Sequence, residues 1–277
     1  MRPFKLLLVL VLAYGGIVAV IYAMQTRMLF PTDLAAASDV RLPASAVRLE
    51  VGTPNGERLR GVHIPPARDR TGPRLMILGF GGNAWNANAL AVYLHGLFPQ
   101  AHVVAYHYRG YRPSTGKPSA AALLADAPVV YDHALKTVGK SDDKTRVIAT
   151  GFSLGTGVAA HLATRRPLAG LILVTPFDSL GALAREHFPW APVGWLLRHE
   201  MSPVESMRGV TVPTAVIAAG RDTIVPPRRT DAVRQAVPTL VLDRTIADAG
   251  HNDLYDRPDF RAAMVEALKR IEAAMAR

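Results

Sequence analysis

Five residues, Gly151-Phe152-Ser153-Leu154-Gly155, join the apolar run RVIAT (146–150) to the small-residue run TGVAAHLA (156–163). A turn this tight from strand into helix forces its central residue into a strained backbone conformation, and a glycine two residues to either side avoids the collisions that follow. The Ser153 hydroxyl is then presented to a cleft. A serine hydroxyl is a weak nucleophile near neutral pH, so it needs an imidazole to take its proton and a carboxylate to orient that imidazole. Asp222, in AAGRDTIVP, directly follows the apolar run 214–220, and His251, in ADAGHNDL, follows the run 239–246. Ser153, Asp222 and His251 therefore each stand just after a strand. Asp178 and Asp248 are the rival carboxylates, and no histidine pair shows the HExxH spacing of a zinc site.

Nucleophilic attack of this kind also requires N–H donors aimed at the oxygen on which negative charge develops. The Leu154 N–H, next to the nucleophile, supplies one, and the Asn83 N–H in GFGGNAWN (79–86) supplies the other. As a phosphate loop this glycine cluster fails, because it satisfies neither GxGxxG nor GxxxxGK[ST]. The chemistry calls for no metal and no organic cofactor.

Short β-like runs alternating with helical ones must position these residues, a pattern that predicts an α/β domain with a mostly parallel sheet. AVRLEV (46–51) and RLRGVHI (58–64), joined through Thr53-Pro54-Asn55-Gly56, read as an edge hairpin. Continuously apolar strands follow at 74–80, 102–108, 146–151, 168–175 and 214–220, with another strand at 239–246, about eight in all. The spacing predicts an amphipathic terminal helix over 259–276. Residues 177–212 break the pattern with Pro, Phe188, Trp190, Trp195, Leu196 and Leu197, and read as a small helical cap above the C-terminal edge of the sheet.

The chain has 277 residues, 49% of them hydrophobic, which excludes wholesale disorder. It contains no cysteine, so disulfides, thiolate metal sites and cysteine nucleophiles are excluded together. The formal net charge of +10 comes from basic residues scattered in runs no longer than a pair, so no nucleic-acid partner is expected. Residues 6–24 form an uncharged, mostly apolar stretch that as a helix would extend about 28 Å, matching a bilayer's hydrocarbon layer. Its length, and the absence of a small-x-small site at its end, favour a retained signal anchor over a cleaved signal peptide. Arg2 and Lys5 precede it, predicting a cytoplasmic N-terminus and a domain on the far side, periplasmic in a Gram-negative cell. The expected organisation is an anchor with a short flank over 1–30 and one catalytic domain over 31–277.

QTRMLFPT (25–32), GFGGNAWN (79–86), YRGYRPSTGKPS (108–119), GFSLGTGVA (151–159), TPFDSL (175–180), GRDTIVP (220–226) and GHNDL (250–254) together resemble the N-terminally membrane-anchored branch of the α/β-hydrolase superfamily. That branch includes protein depalmitoylases and monoacylglycerol or lysophospholipid lipases. The order Ser153, Asp222, His251 is that superfamily's order. The resemblance implies a serine hydrolase for carboxylic esters or thioesters with apolar acyl groups, acting through an acyl-enzyme. A peptidase or amidase with the same triad, and a non-catalytic binding protein of the same fold, are the alternatives. The chain departs from the family's His-Gly-Asn loop, reading Gly81-Gly82-Asn83, and from its RGYG turn, reading Arg109-Gly110-Tyr111-Arg112.

Overall fold

The computed structural model describes residues 2–36, 40–139 and 145–275. Its strands are β1 (Val47–Gly52), β2 (Arg58–Ile64), β3 (Leu75–Phe80), β4 (His102–Tyr106), β5 (Arg146–Phe152), β6 (Gly170–Val174), β7 (Thr214–Ala219) and β8 (Leu240–Ile246). They form one sheet in the order β1-β2-β4-β3-β5-β6-β7-β8. β2 is antiparallel to both β1 and β4, and every later pairing is parallel.

The apolar runs explain the layering. β3, β6 and β7 are buried at every position, as strands covered on both faces must be. Successive residues of β3 serve opposite faces, so Met76 and Leu78 join one core while Leu75 and Ile77 join the other. The first core is closed by α4 (Ala120–Val138), α5 (Leu154–Ala163) and α9 (Pro227–Ala236), and the second by α3 (Ala87–Leu97) and α10 (Pro258–Met275). The hairpin forms as expected, with Gly56 at a φ of 85° where a side chain would be strained. β4 stops two residues short of the expected 108, because the chain turns there into a loop in which the Ser114 hydroxyl donates to the His107 carbonyl at 2.8 Å. Of the terminal helix predicted to 276, the last residue lies outside the described residues.

Between β6 and β7 the chain forms three short helices, α6 (Leu180–His187), α7 (Val193–Leu196) and α8 (Pro203–Met207). Ser179 and Ser202 start α6 and α8 by accepting the N–H groups of Ala182 and Glu205 at 3.0 and 3.3 Å. Ahead of the domain, α1 (Arg2–Leu29) outlasts the apolar stretch and is followed by α2 (Thr32–Ala36). α1 is the one helix among the described residues long and apolar enough to cross a membrane.

Candidate active site

Ser153 sits where β5 turns into α5, with φ 48° and ψ −115°. It and Thr175 are the two non-glycine residues with positive φ among the described residues, and they stand at the C-terminal ends of the neighbouring strands β5 and β6. Close backbone approach demands the flanking glycines. A Cβ on Gly151 would stand 2.4 Å from the Gly155 carbonyl oxygen, and one on Gly155 would stand 2.1 Å from that of Phe80. The strained turn is held by the Ser153 N–H donating to the Val174 carbonyl at 2.9 Å.

The Asp222 carboxylate is buried just past the C-terminal end of β7. Its Oδ1 accepts the backbone N–H groups of Ile224 and Val225 at 2.9 and 2.7 Å, and its Oδ2 lies 2.7 Å from His251 Nδ1. With both oxygens engaged, the carboxylate fixes the ring so that Nδ1 carries its proton toward Asp222 and Nε2 is left as acceptor. Neither rival carboxylate touches His251. Asp178 pairs with Arg229 at 2.8 Å, and Asp248 forms an exposed pair with Arg221. Ser153 and His251 line one cavity.

Asn83 and Leu154 line the same cavity, and neither N–H has an acceptor among the described residues. Gly82 comes close to Ser153, since a Cβ there would lie 3.7 Å from that of the serine. The loop is pinned by two tyrosines whose role the sequence reading did not single out. The Tyr108 hydroxyl donates to the Gly81 carbonyl at 2.8 Å and the Tyr111 hydroxyl donates to the Asn83 carbonyl at 2.7 Å. Burial pushes both phenols up, so they remain protonated donors across the ordinary pH range. Arg109, between them, is buried against Asp126, with Nε 2.9 Å from Oδ2, and is therefore a strut rather than a free cation in the cleft. Gly81 also has a steric reason. A Cβ there would stand 3.0 Å from that of Trp85, whose ring packs 5.0 Å from those of Phe152 and Tyr255. The tryptophan fills the space that a larger side chain at 81 would need.

The cavity above Ser153 has a volume of about 530 Å³, and its lining is dominated by apolar side chains. The cap contributes Leu183, Phe188 and Leu197, and α1 contributes a further wall that includes Val18, Ile21 and Leu29. The last wall was not foreseen, because the apolar stretch ending at residue 24 reads as an anchor alone. The sequence carries no signal for it, since residues 6–24 are apolar on every face, and only the folded chain shields 18, 21, 25 and 29 on one side of the helix. Among the described residues no cluster of three or more His, Asp or Glu is placed to hold a metal ion.

No protein-family model matches the chain. An uncharacterized protein of Mycobacterium tuberculosis is 34% identical over 259 residues, covering 91% of this chain and 89% of the relative. The alpha/beta hydrolase domain-containing protein aho-3 of Caenorhabditis elegans is 31% identical over 190 residues, or 68% of this chain and 54% of that protein. A lysophosphatidylserine lipase of Danio rerio is 29% identical over 143 residues, 45% of this chain and 36% of the lipase. Among solved structures, an esterase of Pyrococcus furiosus matches with a TM-score of 0.62 and 19% identity, over 87% of this chain and 95% of that one. The strand order, the strained serine turn and these likenesses agree: the chain belongs to the α/β-hydrolase superfamily.

Proposed function

We propose that the protein is a membrane-anchored serine hydrolase that cleaves carboxylic esters or thioesters bearing an apolar acyl group. One observation carries this reading: a strained serine opens onto an apolar cavity shared with a histidine whose Nδ1 is held at 2.7 Å by a buried aspartate. In the proposed reaction Ser153 Oγ bonds to the carbonyl carbon while His251 Nε2 takes its proton. The carbonyl electron pair moves onto oxygen, where the N–H groups of Asn83 and Leu154 stabilise it, each by about 3 kcal/mol. Collapse expels the alcohol or thiol, which receives the proton from His251. Water, deprotonated by the same nitrogen, then releases the acid and restores Ser153. Asp222 stabilises the imidazolium at both stages. The lipase activity named for the zebrafish relative supports a lipid-like ester as substrate.

α1 holds the domain at a lipid surface in this reading, with its N-terminus in the cytoplasm because Arg2 and Lys5 precede the apolar stretch. Labelling of the full chain with a fluorophosphonate, beside Ser153→Ala and His251→Ala, tests the mechanism. The parent alone should react, and a folded parent that resists the probe would refute it.

A further inference from the structure

α1 does more than precede the domain. The cap chain runs alongside it for about three helical turns, from Tyr14 to Thr26. The Tyr14 hydroxyl donates to the Trp190 carbonyl at 2.8 Å, and the Thr26 hydroxyl lies 2.8 Å from His199 Nε2. Between them, buried Gln25 uses its whole amide. Its Nε2 donates to the carbonyls of Tyr22 and Leu196 at 3.0 and 3.1 Å, and its Oε1 accepts the Arg198 N–H at 2.9 Å. The Arg198 guanidinium also lies over the Tyr22 ring, 4.8 Å from its centroid. Such a contact sets the side chains of Val18, Ile21 and Leu29 into the cavity that holds Ser153.

From Leu6 to Tyr14, where the cap begins, α1 extends about 13 Å, less than half the roughly 30 Å of a bilayer's hydrocarbon layer. A helix spanning the bilayer with residues 6–24 therefore keeps Tyr14–Met24, about 15 Å or one leaflet, in lipid while that same segment is packed on the cap. The outer face of the segment is apolar and open, with Ile17, Val20 and Met24 exposed, and Trp190 and Trp195 are exposed on the cap beside it. Trp195 adjoins Leu196, whose carbonyl meets Gln25 just past the apolar stretch, and that is the level at which a tryptophan is expected at a membrane interface. Cavity and leaflet thus share one helix.

We propose that the C-terminal half of α1 is the acyl-chain wall of the active site: a lipid's acyl chain lies between the Val18–Ile21–Leu29 face of α1 and the cap, drawn from the leaflet that holds the same helix. The proposal rests on the ester-hydrolase reading above and adds where the chain binds. Each methylene seated on such a wall is worth about four-fold in kcat/KM, so a wall that seats several of them separates long from short esters by orders of magnitude.

The test compares p-nitrophenyl acetate with the palmitate ester, using the full chain in detergent micelles. Ile21→Trp, which fills the groove, should lower the ratio of palmitate to acetate kcat/KM at least ten-fold. Val20→Trp, on the outer face of the same helix, should leave that ratio within two-fold. If Ile21→Trp does not fold, Ile21→Ala serves instead, and should lower the same palmitate-to-acetate ratio about four-fold or more by removing the side chain on which the acyl chain rests. Fluorophosphonate labelling of Ser153 accompanies each variant. Labelling with an unchanged chain-length profile in the Ile21 variants would overturn this proposal alone. A folded parent that neither labels nor hydrolyses acetate would overturn the ester-hydrolase reading and this wall with it.

Discussion

Asp222→Asn changes one atom in the buried contact that orients His251. The asparagine oxygen can still accept the Ile224 and Val225 N–H groups, so the loop keeps its shape. Its NH2 group then faces His251 Nδ1, across a contact of 2.7 Å in the native protein. Two donors cannot share that contact, so the imidazole shifts its proton to Nε2 and turns an acceptor toward the amide. The nitrogen that should take the serine proton is then already protonated. A wrong tautomer of this kind costs about 10⁴-fold in kcat, equivalent to about 5 kcal/mol of transition-state stabilisation. Fold stability changes far less, because every acceptor and donor at the site keeps a partner. The assay is kcat/KM for p-nitrophenyl acetate, with thermal unfolding measured alongside and Asp248→Asn as control. Asp248 pairs with Arg221 in solvent, where such a pair is worth at most ~1 kcal/mol, so its loss should change activity less than three-fold or so. A folded Asp222→Asn enzyme within ten-fold of the parent would refute the assignment of Asp222 to the triad.

Gly155→Ala places a methyl 2.1 Å from the Phe80 carbonyl oxygen, a backbone atom that cannot swing away. It should cost ~3 kcal/mol in a denaturant titration and abolish fluorophosphonate labelling. Tyr108→Phe and Tyr111→Phe each release one carbonyl of the 81–83 loop, whose Asn83 N–H is the proposed oxyanion donor, and each should lower kcat about five-fold with KM little changed. The fold should also lose stability in acid. Burial holds His107 at about 4, below its ordinary 6.5. The unfolded chain therefore binds a proton that the folded one refuses as pH falls from 6.5, and ~3 kcal/mol is lost by pH 4 and below. His107→Gln should flatten that part of the curve of unfolding free energy against pH, and an unaltered curve would exclude His107 as its source.

Much of this protein was legible in its residues, for local reasons. A strand buried on both faces must be apolar throughout, and a helix with one wet face must be apolar at intervals of three and four, so the eight strands and the terminal helix stand close to where their patterns place them. The serine turn was legible because only glycine tolerates the backbone approaches at 151 and 155, which leaves a short spelling in the sequence. Asp222 and His251 were legible because strand ends of a parallel sheet converge on one edge.

What the chain could not state locally is which groups meet across long separations. The choice among Asp222, Asp178 and Asp248 depends on where each loop ends in space, and the fold sends Asp178 to Arg229 and Asp248 to Arg221. The tyrosines that pin the 81–83 loop lie 27 and 28 residues from the carbonyls they hold. Most distant of all is α1, whose Gln25 meets Leu196 across 171 residues. An apolar helix has the same composition whether it faces lipid or walls a cavity, since both surroundings reward the same side chains. Residue types and their spacing settle the elements and the chemistry they can carry, and only the packing of the folded chain decides that this helix closes the site.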